Sequence, residues 1–367
     1  MVAARRDGVE TPLGIPLVGN ATIVRHVRAT ERARTLEPAS HRETRGTFDA
    51  SIGVMHPELQ ELPLAEWTDT RETIHRWSQI LGKIQLALTP QVNHWWNVAL
   101  QISSHGIATT TIPYGERCFD MEMDFIDDVL RLRTSDGSQW VVPLGPRSVA
   151  EVYADVMASL EDARIEVHIS PIPSEVANRT PLDRDFDHAS YDKEYVLRWH
   201  HAASWTSNMM ARFRSDFIGK QSPVQLYWGH FDLSLTRFSG RRCITAPPAD
   251  PIEREAYSHE LFSVGWWAGD ERFSKPAYYA YASPEPPGFP VARIESKHGY
   301  YYPPLRGYYM DYDDIRTADN PEDLVLEFFQ TTYEAAANLG GWDRLALERG
   351  FAGGITDANV FAPTYAR

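Results

Sequence analysis

One order of elements occurs twice in this chain, and it constrains the fold more than any other feature. A helix-like stretch ends at Gly82-Lys83 and continues through Thr89-Pro90 into Asn93-His94-Trp95-Trp96. A second ends at Gly219-Lys220 and continues through Ser222-Pro223 into Tyr227-Trp228-Gly229-His230. The offset of about 133 to 137 residues is too long for a solenoid repeat and suits a duplicated α+β half. The expectation is an α+β protein of two related halves, each a helix followed by antiparallel strands, with a cleft between them.

Local signals place the elements. Trp67, Ile74, Trp77 and Leu81 share one face of a helix over 65–81, with Gly82 positioned to end it. Ser148 and Glu151 form a capping box ahead of Val149, Val152, Val156 and Leu160. A long helix is expected from about Lys193 to Phe217, and a last one from Asn320-Pro321 to Leu339. Alternation and turn residues predict strands over 92–104, 109–125, 165–169, 223–238, 258–267 and 276–282, and a hairpin over 129–144 turning at Ser135-Asp136-Gly137-Ser138. The tyrosine-rich 300–312 stretch reads as a loop able to serve as a lid. The domain reading is an N-terminal extension at 1–54, with eight Arg, no Lys and no sustained apolar period. A first half at 55–170, a connector at 171–190, a second half at 191–345 and a tail at 346–367 follow.

Charge and cysteine content narrow the function classes. With 50 acidic against 36 basic residues the net charge is −14, which argues against a nucleic-acid partner, because phosphate binding needs clustered Lys and Arg. Cys118 and Cys243 are too few for a disulfide framework or a four-cysteine zinc site, in line with a reduced cytoplasm. No run approaches the roughly 18 to 20 apolar residues of a membrane helix, so no membrane partner is expected. The Gly-Lys pairs lack the rest of a phosphate-cradling loop, and no nucleotide cofactor motif is present.

On a strand over 223–238 side chains alternate, which puts Trp228, His230, Asp232 and Ser234 on one side. A His-x-Asp pair joined by a distant His supplies two imidazoles and a carboxylate to a divalent transition metal, iron being favoured, with positions left open for oxygen and substrate. The candidate ligands are His94, His230, Asp232 and His259, with Asp232 and Glu260 as catalytic carboxylates. Trp96, Trp228, Tyr279 and Tyr281 would shape a substrate pocket between the halves. The bland alternative has His230 packed under an aromatic ring, Asp232 paired with Arg237 or Arg241, and the aromatics stabilising a sheet through cross-strand contacts.

Several segments together resemble a bacterial family catalogued only as a domain of unknown function. They are Val92-Asn93-His94-Trp95-Trp96, Ser222-Pro223-Val224, Trp228-Gly229-His230-Phe231-Asp232-Leu233, Thr236-Arg237-Phe238-Ser239-Gly240-Arg241, Glu255-Ala256-Tyr257-Ser258-His259-Glu260 and Thr332-Tyr333-Glu334-Ala335-Ala336. The resemblance spans about Leu62 to Glu348 and brings no activity or cofactor with it. Similar sequences have Ser where this chain has His230, which moves weight to His94, Asp232, His259 and Glu260. The functional expectation is a metal-dependent enzyme acting on a small organic molecule, of non-haem iron oxidoreductase or metal hydrolase type. The alternatives are a non-catalytic small-ligand binder with an aromatic-lined pocket, or a surface that docks a basic protein.

Overall fold

The computed structural model describes residues 59–243 and 251–349. The expected extension at 1–54 and the tail beyond 349 lie outside the described residues. The first half runs α1 (Leu64–Leu88), β1 (Gln101–Ile102), β2 (Gly106–Ala108), β3 (Ile112–Tyr114), β4 (Arg117–Asp124), β5 (Val129–Thr134), β6 (Gln139–Pro143) and α2 (Val149–Asp162). After the connector come α3 (Lys193–Ser215), β7 (Gln225–Tyr227), β8 (Asp232–Arg242), α4 (Pro251–Ala256), β9 (His259–Trp267) and β10 (Ala277–Ser283). The chain then continues through β11 (Tyr300–Tyr302), β12 (Gly307–Asp311), α5 (Tyr312–Arg316), α6 (Pro321–Leu339) and α7 (Arg344–Leu347). The fold is α+β. One antiparallel sheet has the order β1-β2-β4-β5-β6 with β3 on β4, and the other β11-β12-β10-β9-β8-β7.

A helix precedes an antiparallel sheet in both halves, and the capping box at α2 forms in full, Ser148 accepting from the Glu151 backbone and Glu151 from the Ser148 backbone. The echoed segments, however, fold differently. Residues 93–95 form a 3-10 turn with His94 and Trp95 at φ 58° and 61°, not the expected strand. The expected strand over 223–238 is broken by a turn in which Phe231, at φ 59°, donates its N–H to the Tyr227 carbonyl at 2.8 Å. Gly82 does not end α1. It sits inside the helix with Trp228 lying against it: a Cβ there would fall 2.2 Å from the indole. Residues 165–169 carry no strand. The 300–312 stretch is not a lid loop but holds β11 and β12, which close the edge of the second sheet through cross-strand tyrosine pairs.

The two halves share one apolar core, a continuous cluster from Leu59 to Ala337. Their sheets meet at Leu100 and Leu226, whose backbones exchange two hydrogen bonds of 2.9 Å. Register divides the second sheet into two unlike faces. Leu233, Leu235, Phe262, Val264, Trp266 and Tyr278 point toward α3 and α6 and are buried. Asp232, Ser234, Thr236, Ser263, Gly265 and Tyr279 point the other way. No helix layer covers that second face among the described residues. Only the turn at 93–98, α4 and the connector around Glu175 roof one end of it.

Candidate site on the open face of the second sheet

The open face is low in the middle and high at the sides. Ser234 and Ser263 share a hydrogen bond at 2.9 Å, and Thr236 meets Ser263 at 3.1 Å, a floor of small hydroxyl side chains. Gly265 lies directly under Tyr279, since a Cβ at 265 would approach its ring to 2.0 Å. Tyr279 and Tyr281 stack at 6.2 Å, and Tyr279 meets Tyr309 at 6.5 Å. Trp267, Phe273 and Tyr309 form a separate apolar cluster on this side of the sheet. Together they border an open hollow of about 680 Å³, lined by Asp232, Trp267, Tyr279, Tyr281 and Tyr309 among others. A second hollow of about 370 Å³ shares His230, Asp232, Tyr257, Tyr279 and Tyr281 with it and extends to His94, Trp96, Trp228 and Phe238. The two hollows make one elongated cleft. Its far end is bounded by both halves and its larger part lies wholly on the second.

Asp232 stands at the junction. It opens onto the cleft and is otherwise enclosed by protein, and this burial pushes its carboxyl above the usual range. Tyr279, whose hydroxyl donates to Oδ2, acts in the opposite sense. Burial, with the charge of Asp232 added, holds the Tyr279 hydroxyl well above its ordinary pKa, so it remains a donor. Among the described residues no Lys or Arg comes within ion-pair distance of this carboxylate. The expected pairing with Arg237 or Arg241 is not made. Arg237 points to the helix face and stacks on Phe213, its carbon centre 3.5 Å from the ring, while Arg241 binds Glu260.

The turn that presents Asp232 is held from below. His75 of α1 is fully buried, and its Nε2–H donates to the Trp228 and Gly229 carbonyls at 2.9 and 3.1 Å. Its ring stacks on Phe231 at 5.2 Å. Trp228 donates its indole N–H to the Val98 carbonyl at 2.8 Å, tying the turn to the first half. His230, at the turn's tip, is exposed and lies 3.2 Å from Glu175 of the connector.

The expected metal ligands fall into two places. His230 and Asp232 lie at the turn and at the start of β8, and His94 and His259 lie at the roofed end with ring centroids 5.4 Å apart. The His94 Nδ1–H donates to the Ala256 carbonyl at 3.0 Å, so Nε2 accepts, and Lys220 donates to it at 2.6 Å. Burial, with the Lys220 charge, lowers the pKa of His94 and keeps it neutral. Among the described residues no group of three or more His, Cys, Asp or Glu is placed to hold a metal ion. The donor set does not fit a transition ion in this arrangement, since an ammonium occupies the free lone pair of His94.

Glu260 is outside the cleft. Strand alternation sends it to the opposite face from His259, where it accepts from Ser239 at 2.9 Å and from Arg241. Trp96, Trp228, Tyr279 and Tyr281 all line the cleft, as do Trp267, Tyr309, Tyr257 and Glu175, which the sequence reading did not select for a site. The Gly265-Trp266-Trp267 run carried a usable signal: a glycine between aromatics on a strand marks a close approach by another group. Lys220 was visible only as half of a Gly-Lys pair, without any sign that it would reach His94.

Fold and site together define an α+β protein with a two-faced sheet whose outer face carries a cleft lined by Asp232 and several tyrosines. The chain belongs to a family of unknown function (DUF5996), whose model matches residues 59–349. No curated protein and no solved structure matches it. No helix among the described residues is long and apolar enough to cross a membrane.

Proposed function

We propose that the protein binds a small organic molecule in the cleft on the open face of the second sheet, with Asp232 as its polar anchor and the tyrosines as walls. The observation that carries this reading is Asp232 itself, a half-buried carboxyl facing a cavity of about 680 Å³ and accepting from the Tyr279 hydroxyl, with no Lys or Arg within ion-pair distance among the described residues. Burying such a group costs stability unless something compensates it, and ligand sites are where folds accept that cost. Cavity size agrees, since small-molecule pockets run from about 300 to 1,000 Å³ with apolar walls and few polar groups. A ligand-observed NMR screen of small ring compounds is the direct test. Hits should compete with one another and weaken about tenfold or more in Tyr281→Ala. A screen without hits, or hits indifferent to Tyr281→Ala in a protein that still melts cooperatively, would remove the proposal.

The metal-dependent reading retains one supporting observation, the adjacency of His94 and His259. It requires Lys220 to withdraw from His94. Reconstitution with iron, zinc or manganese followed by metal analysis separates the readings: stoichiometric metal that is lost in His94→Ala would favour it over simple ligand binding.

A further inference from the structure

The charges around the cleft differ in one respect. Arg272 at the rim is held by Asp270 at 2.8 Å and lies over the Trp267 ring at 5.2 Å. Arg306 is held by Glu285 at 3.1 Å, and Glu285 also accepts from Tyr301. His230 faces Glu175 at 3.2 Å. Each rim arginine thus already has its own carboxylate, whereas Asp232 has no Lys or Arg within ion-pair distance among the described residues. On the cleft side Asp232 shares its lining with a group of aromatic rings: Tyr279, which meets it through the hydroxyl, Tyr281 stacked on Tyr279, and Tyr309 tilted beside it.

We infer that the cleft takes an organic cation, a protonated amine or quaternary ammonium group carrying an apolar part, with the charged nitrogen set between Asp232 and the tyrosine rings. This inference rests on the cleft being a small-molecule site and names the class of molecule. Ring faces attract a desolvated cation electrostatically, and a carboxylate in a water-poor site attracts it far more strongly than one at the surface. An anion would meet the reverse: Asp232 repels it, and the rim arginines that would have welcomed it are already occupied. A neutral ring compound would fill the walls and leave Asp232 uncompensated. The excess of acids over the whole chain, a net charge of −14, adds long-range attraction for cations.

Three probes of similar shape and different charge decide the matter by isothermal titration calorimetry on the full chain: benzyltrimethylammonium, benzyl alcohol and phenylacetate. The cation should bind at least about tenfold more tightly than the alcohol, and phenylacetate should bind least. Asp232→Asn, which preserves the acceptor for Tyr279, should bring the cation down to the level of the alcohol and abolish the ranking of the three probes by charge. If Asp232→Asn does not fold, the ranking of the three probes on the unaltered protein decides alone. Equal binding of all three, or a cation preference that survives Asp232→Asn, overturns the inference and leaves the cleft a small-molecule site. Failure of all three probes and of the wider screen removes the underlying reading as well.

Discussion

His75 shows how much one buried side chain governs. It is sealed inside the protein, holds the 228–231 turn by two carbonyls, and its pKa is lowered to about 3 by burial, with Arg71 acting in the same sense. In the unfolded chain the imidazole takes a proton below about pH 6.5. Between about 6.5 and 3 the unfolded state therefore binds one proton more than the folded state. The stability due to neutral His75 is complete above pH 6.5 and is lost as the pH falls, at about 1.4 kcal/mol per unit. Denaturant titrations at pH 7, 6, 5 and 4 should show a slope in the native protein that is shallower by that amount in His75→Gln. Equal slopes would mean that the ring is not the buried neutral group described above. The sequence placed His75 on a helix and gave no hint of this role, because its partners are the carbonyls of residues more than 150 positions away.

At the level of elements, what was legible and what was not divides by range. Local signals held where one segment contains its own cause: the Ser148 capping box, the Asn320-Pro321 helix start, and the alternating strands that became β9 and β10. They failed where a distant group decides. Gly82 has the chemistry of a helix terminator, but α1 continues through it, and the space its missing side chain leaves is filled by Trp228. Phe231, His94 and Trp95 adopt positive φ with bulky side chains, which composition does not announce, so both aromatic segments read as strands when they are turns. The candidate cleft was accordingly half legible: Asp232, Tyr279 and Tyr281 line it as expected, Tyr257 and Tyr309 were not selected, and the placing of Asp232 at one part and His94 at the other depends on turns that the sequence did not announce. Substitutions test the same distinction. Gly82→Ala should cost about 2 to 3 kcal/mol, because the indole that must move also carries the bond to Val98, and it should weaken ligand binding with it. Ser148→Ala should cost about 1 kcal/mol and leave binding untouched. Chemical denaturation and calorimetry on the two variants check both statements, and a Gly82→Ala protein of unchanged stability would contradict the close contact with Trp228.

For the molecule as a whole, the shared core and the Leu100–Leu226 junction predict that the halves do not unfold apart. Thermal unfolding followed by far-ultraviolet circular dichroism and by tryptophan fluorescence should give one transition with coincident midpoints. Two separated transitions would show that the first and second halves are independent units. The second sheet carries a division of labour across its thickness. Its inner face, with Leu235, Val264 and Trp266, holds the protein together. Its outer face, where Thr236, Tyr279 and Tyr281 are only half-buried, lines the cleft and is less tightly enclosed. Mutational drift therefore meets two very different tolerances within a single strand, harsh and permissive by turns at every other position. A lineage built on this sheet can exchange the walls of its cleft one residue at a time without passing through an unfolded ancestor. Gly265 is the exception, where any side chain displaces Tyr279 and changes the cavity in one step.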